Sequence, residues 1–407
     1  MRTQLTTAWL VLALLCTLAG AARPRPHILK KRNPTYAPLS EGAMSDLAAL
    51  SDLDKTLDWT DAGSELARLL VPRVPGSANL TRVQGMVEGH FKRLGWDVEV
   101  DEFEDDTPIG RKPFKNLVFT HDPSAPRRLV LAAHIDSKYF PTHPEDQFIG
   151  ATDSAAPCAM LLDVATALTP WLDARKARVA EDGGEEGRDG QGETLQIIFF
   201  DGEEAFQEWT HTDSIYGARH LARKWAQTDA SPSAIRSTPR SPLRRISHFV
   251  LLDLLGAPNP VTRNFFTPTG WLFDEFAHAE ERLGRAGLLW PGVEGDQYTA
   301  QRGKLGARER SFFVPRSGGQ SYGGQIEDDH LPFLREGVPI VHLISVPFPQ
   351  VWHTIADDAS ALDLPTIKAW SLIVRLTVAE YLGLDPTADL ANTNGASTAV
   401  RRDQGEL

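Results

Sequence analysis

Acids and histidines stand in this chain where apolar runs give way to loops. LVLAAHIDSK closes with His134 and Asp136, and GATDSA sets Asp153 ahead of a helical pattern. LQIIFFDGEEAF ends on Asp201, Glu203 and Glu204, FVLLDLLGAPNP carries Asp253, and FPQVWHT carries His353. Each has an ordinary use. An aspartate before a helix caps it, a glutamate pair can sit on a solvated turn, a histidine is more often a core or surface residue, and Asp136 can pair with Lys138. The joint pattern outweighs these uses. A buried strand does not carry an acid into an apolar interior without a partner, and sites in open α/β sheets lie beyond the carboxyl ends of the strands. Asp, Glu and His together suit zinc with its fourth position open. Glu203, adjacent to Glu204, would then be a free carboxylate beside the metal, as metal-assisted acid–base chemistry needs.

The elements that must position these groups show in the hydrophobic pattern. Leu129–Ala133, Leu195–Phe200, His248–Leu252 and Val338–Ile344 are short, continuous apolar runs. Such runs are buried on both faces, as in the central strands of a helix-flanked sheet. Trp96–Phe103 alternates in part and reads as a further strand. Helical patterns occupy Ala155–Leu168, Tyr216–Trp225, Leu272–Leu283 and Thr366–Leu382, with short helices near Asp46–Leu57 and Ala62–Leu70. Ser77 or Asn79 caps another that runs to about Leu94 and stops at Gly95. The alternation predicts an α/β fold with a largely parallel sheet. Arg178–Glu193, Gln227–Arg245 and Leu289–Gly319 read as surface loops.

Composition sets the outer limits. The chain is 42 % hydrophobic and 24 % charged, an ordinary globular balance. No internal linker separates two complete patterns, so residues 46–386 are expected to form one domain. The net charge of −12 argues against nucleic acid or an anionic membrane as the main partner. Arg2, the apolar stretch Ala8–Leu18 and Ala19-Gly20-Ala21 read as a signal peptide over residues 1–21. Its apolar core is short of the roughly 20 residues that span a bilayer. A basic, disordered leader with Lys30-Lys31-Arg32 is expected over 22–45, and a disordered tail over 387–407. The mature chain would be a secreted monomer without stable membrane insertion. It would carry one thiol, Cys158, as apolar filler, and one glycosylation sequon at Asn79.

The order His-x-Asp, Asp, Glu-Glu, Asp, His resembles the zinc aminopeptidase superfamily. The longer words HIDSKYF, GATDSAAPCAM, FFDGEEAF, YGARHLA, LLDLLGAPNP, SYGG, DDHLPFLREGVP and PFPQVWHT closely resemble the glutaminyl-peptide cyclotransferases, or glutaminyl cyclases, from about Ala62 to Leu382. That resemblance implies a three-layer α/β/α sandwich around a mostly parallel mixed sheet, with one catalytic zinc per chain. It implies Asp153, Glu204 and His353 as ligands, Glu203 as general acid/base, and Asp253 and Asp328 as acids in a network with it. Trp209 and Trp352 match aromatic residues of the substrate pocket, and Phe348 an apolar residue at its rim. Glu327 stands at a pocket position where glutamine is expected, and Ala133 where some relatives carry a cysteine partner for Cys158. The implied activity is that of an acyltransferase: N-terminal glutamine of peptides and proteins is converted to pyroglutamate with release of ammonia. The competing reading is a secreted two-zinc aminopeptidase, in which His134, Asp253 and a bridging Asp153 hold a second metal and Glu203 activates water. A third is an inactive binding module, against which the retention of every expected ligand argues.

Overall fold

Six strands form one mixed sheet in the order β1-β2-β4-β3-β5-β6. They are β1 Asp97–Thr107, β2 Gly110–Thr120, β3 Arg127–His134, β4 Glu193–Phe200, β5 Ile246–Asp253 and β6 Ile340–Ile344. The computed structural model describes residues 36, 38–181, 192–228, 241–290, 311–316, 321–322 and 326–384. The predicted signal peptide, most of the leader and the predicted tail lie outside them. β1 and β2 form an antiparallel hairpin, and β2 joins β4 antiparallel through Leu117–Thr120. β4, β3, β5 and β6 are mutually parallel.

Alternation along the strands divides the core between two faces. Leu129, Leu131 and Ala133 of β3 pack with Leu195, Ile197 and Phe199 of β4 on one face. There they meet the helices Ala78–Arg93, Ala156–Glu181, Gly270–Arg285 and Leu364–Leu382. Val130, Ala132, Ile198 and Phe200 point the other way, against the helices Tyr216–Gln227 and His330–Arg335. Both faces are therefore covered, which accounts for the unbroken apolarity of the parallel strands. The α/β class and three layers are as expected. Among the described residues one helical stretch, 145–179, is long and apolar enough to cross a membrane, and 89 % of its apolar window is buried inside the protein.

Several elements differ from expectation. β2 is not read from the sequence: apart from the buried Phe114, GRKPFKN is largely polar and holds Pro113, and the continuous apolar run is confined to the strand's end. The stretch read as one helix near Asp46–Leu57 is two, Glu41–Ala49 capped by Ser40 and Leu53–Leu57 capped by Asp52. The first begins inside the segment assigned to the leader. The helix that follows Asp153 continues past Leu168 and through Pro170 to Glu181. Ser77, of the two candidates, caps the Ala78–Arg93 helix by accepting the Leu80 N–H, and Gly95 follows at φ +78°.

One buried ion pair fastens the N-terminal helices to the core. The side chains of Arg375 and Asp163 are fully buried. Arg375 Nε donates to Asp163 Oδ2 at 2.8 Å, Ser51 donates to the other carboxylate oxygen at 3.1 Å, and Ser371 donates as well. Removing one partner strands a buried charge. Asp163→Ala should lower stability by about 3–5 kcal/mol in chemical denaturation; a loss within experimental error would show that the pair does not fasten these helices.

Candidate active site

The parallel strands deliver the chemistry-bearing residues to one edge. β3 ends on His134, with Asp136 just beyond it, and β5 ends on Asp253. β4 ends at Phe200, and the chain turns at Gly202 to present Glu203 and Glu204. Gly202 has φ +75°, and a Cβ there would lie 2.4 Å from the Phe114 ring, so only glycine fits the turn. Asp153 lies in the irregular segment Ala151–Ala155, whose Asp153–Ser154 peptide is cis. Asp357 holds this segment by accepting the Thr152 N–H at 2.9 Å. His353, in the loop after β6, adopts φ +55°, a left-handed conformation uncommon for a non-glycine residue and frequent at functional sites.

Donor atoms of Asp153, Glu204 and His353 all lie within 4.8 Å of one another. His353 Nε2 is 3.2 Å from Glu204 Oε1 and 3.4 Å from Asp153 Oδ2. That Asp153 oxygen is buried and, apart from this approach of His353, has no hydrogen-bond partner among the described residues. An unpaired buried carboxylate oxygen is costly, and a cation at this point offsets the cost. Two carboxylates and one imidazole match the donor set of a catalytic zinc site. Burial lowers the His353 imidazole, but Asp153 and Glu204 more than offset this and lift it to about 9. The same carboxylates would draw a metal cation in place of that proton.

A second group shares Asp153. His134 Nε2 lies 3.0 Å from Asp153 Oδ1 and 3.4 Å from Asp253 Oδ1. Burial opposes charge on His134, yet Asp136, Asp153 and Asp253 raise it well above its usual range. A third group, Asp328, His330 and His342, is wholly buried. Donor proximity alone therefore does not fix the number of metals.

The other acids differ in their electrostatics. Burial raises Glu203 well above the carboxylate range, with Asp328 and Glu204 adding to the shift and His134 opposing it. Asp253 is raised to about 6 by burial and by the Asp328 charge. Burial also acts to raise Asp328, but the hydrogen bond to His342 Nε2 at 2.8 Å, with the His342 and His330 charges, outweighs it and leaves Asp328 lowered. Neighbouring acids pushed apart in this way can divide the proton-holding and charge-holding roles. Asp253 also accepts from Ser154 Oγ and from the Leu254 N–H.

Asp136 does not pair with Lys138. Its Oδ1 accepts the Glu203 N–H at 3.1 Å and its Oδ2 the Glu204 N–H at 3.3 Å. One buried carboxylate thus grips the backbone of both glutamates. Lys138 instead donates to the Ala205 carbonyl at 3.0 Å and approaches Glu204 Oε2 at 3.5 Å. Asp136, Ser154, Lys138 and His342 were not singled out for these contacts from sequence. His342 had one signal, a lone histidine inside the apolar run VPIVHLI.

A cavity of about 470 Å³ opens over the trio. Asp153, Glu203, Glu204 and Asp253 line it, together with Trp209, Glu327, Phe348, Trp352 and His353. Asp328 is buried behind this lining rather than part of it. Trp352 stacks on His353 at 3.9 Å between ring centres, and Phe348 packs edge-on to Trp352 at 4.9 Å. Trp209 Nε1 donates to Glu327 Oε2 at 2.9 Å. Cys158 is free and buried beside His134, with its thiol pushed up to about 12 by burial, as suits apolar filler. Asn79 sits half-buried in the first turn of the Ala78–Arg93 helix.

Asp136→Asn tests the grip on the glutamate pair, because an amide offers one acceptor oxygen where two N–H groups need one each. Zinc affinity and kcat should fall by about 10–100-fold in a variant that still unfolds cooperatively. Unchanged zinc content and kcat would contradict a positioning role.

The model of peptidase family M28 matches residues 116–286 and 301–378. The chain is 43 % identical to glutaminyl-peptide cyclotransferase of Bos taurus over 79 % of its length and 81 % of that protein. It is 42 % identical to the Drosophila melanogaster glutaminyl-peptide cyclotransferase over 77 % and 78 % of the two chains. The crystal structure of Macrostomum lignano glutaminyl cyclase superposes with a TM-score of 0.68 at 37 % identity, covering 86 % of this chain and 96 % of that one. These relatives favour a cyclotransferase over an aminopeptidase, and the protein is an enzyme. The chain belongs to the glutaminyl-peptide cyclotransferase family, within peptidase family M28.

Proposed function

We propose that this chain converts the N-terminal glutamine of peptides and proteins to pyroglutamate, using one zinc held by Asp153, Glu204 and His353, with Glu203 as general acid/base. The observation that carries the reading is the trio of two buried carboxylates and the half-buried His353, with a separate glutamate beside it, lining a cavity with an aromatic mouth.

The substrate supplies both reactants. Its α-amine nitrogen attacks the γ-carbonyl carbon of the same residue, a five-membered lactam closes, and the bond to the side-chain nitrogen breaks to release ammonia. Zinc, when bound, supplies Lewis-acid polarisation of the γ-carbonyl and charge stabilisation of its oxygen. Glu203 accepts the proton from the attacking amine and returns it to the departing nitrogen, and its raised affinity for protons suits both halves of that transfer. Asp328 acts on Glu203 through charge, and Asp253, itself raised by the Asp328 charge, completes the acid network and lines the cavity where the leaving group departs. Trp352 and Phe348 wall the site, exclude water and fold the substrate into the attacking geometry. No water nucleophile is needed.

The His134–Asp153–Asp253 group favours a second reading, a two-zinc aminopeptidase. The products separate the two: an aminopeptidase releases a free amino acid and shortens the peptide, whereas a cyclase releases ammonia and leaves a peptide of unchanged residue number with a blocked N-terminus. Residues 46–386 acting as one domain, entry into the secretory pathway and secretion, glycosylation at Asn79 and a monomeric state complete the proposal. Support comes from the signal-like start, the sequon and the continuous sheet.

Mass spectrometry of a glutamine-initiated peptide should show loss of one ammonia only with enzyme. Chelation should abolish the activity and added zinc restore it. Glu203→Gln should lower kcat by at least about 10²-fold. Full activity in that variant would remove Glu203 from its role, and release of free glutamine would favour the hydrolase.

A further inference from the structure

The reacting end of a substrate must lie among Asp153, Glu203, Glu204 and Asp253, all of them buried. The rest of the peptide then leaves past the lining residues that reach solvent. These include Trp209 and Trp352, at 38 % and 39 % exposure, and Glu327. Glu327 is anchored at this mouth. Its hydrogen bond from Trp209 Nε1 joins the loop after β4 to the turn before the His330–Arg335 helix. Oε2 takes that bond, and among the described residues Oε1 accepts none, so one anionic oxygen is left for a ligand. The other acids of the lining have different engagements. Asp153 and Glu204 belong to the trio, and Glu203 and Asp253 sit deep beside it. Lys138, a lysine of the same lining, is turned toward Glu204 and the Ala205 carbonyl. A charge held in place loses less side-chain freedom on binding than a loose one.

On the cyclisation reading above, we propose that Glu327 is a specificity-determining residue that favours peptides whose second residue is cationic. A glutamine here could accept the same indole N–H but would present no charge. Glu327→Gln therefore removes the charge while keeping the acceptor for Trp209.

The test measures kcat/KM on the zinc-loaded full chain with three amidated peptides. They begin Gln-Lys, Gln-Ala and Gln-Glu and share one neutral tail. At low ionic strength Gln-Lys should exceed Gln-Glu by about threefold to tenfold, mostly through KM, as expected for a charge pair at a solvated mouth. Added salt should compress the ratio. In Glu327→Gln the ratio should fall by about threefold, to the residual preference set by the net charge of −12. A ratio near one in the wild type, or one that Glu327→Gln leaves unchanged, would overturn the role of Glu327. If none of the three peptides loses ammonia, the cyclisation reading itself fails and this inference fails with it.

Discussion

Buried carboxylates crowd one edge of the parallel strands, among them Asp136, Asp153, Glu203, Glu204, Asp253 and Asp328. Left alone, that concentration of negative charge would oppose folding. Each is accommodated differently. Asp136 is met by two backbone amides. Asp328 is met by His342. Glu203 and Asp253 are shifted toward holding a proton. Asp153 and Glu204, met on their far sides by His134 and Lys138, turn their other oxygens toward His353, where a metal cation fits. The backbone below is held by Arg73, which is fully buried and donates to the carbonyls of Leu69, Val71, Ile135 and Ile149. It thereby ties the start of the Asp153 segment to the end of β3.

The donor set does not by itself choose between hydrolysis and cyclisation. A hydrolase needs an activated water at the open metal position, whereas cyclisation carries its own nucleophile and gains from keeping water out. Trp352, stacked on His353, and Phe348, packed edge-on to Trp352, suit the second requirement. The family likeness supports the same choice independently. The choice thus rests on two kinds of observation, the aromatic wall beside the trio and the identity to cyclotransferases, rather than on ligand counting.

Much of this is legible in the sequence alone. β3 to β6 are continuous apolar runs because helices cover both faces of the sheet, and the candidate ligands mark where those runs stop. β2 was hidden because its first half belongs to a hairpin that extends beyond β4, where no apolar pattern is required. The amide-gripping role of Asp136 was hidden because its neighbour Lys138 offers a simpler local partner. The bond between Trp209 and Glu327 was hidden because it spans 118 positions of chain. Residue type and strand ends reveal where chemistry gathers; side-chain to backbone contacts across the fold do not show in spacing.

The central claim is a single zinc at the trio. The most direct measurement is an anomalous difference map, collected at the zinc absorption edge from crystals of the zinc-loaded protein. The account predicts one peak, about 2.0–2.2 Å from donor atoms of Asp153, Glu204 and His353. No peak at the trio, or a second peak of similar height among His134, Asp153 and Asp253, would contradict it.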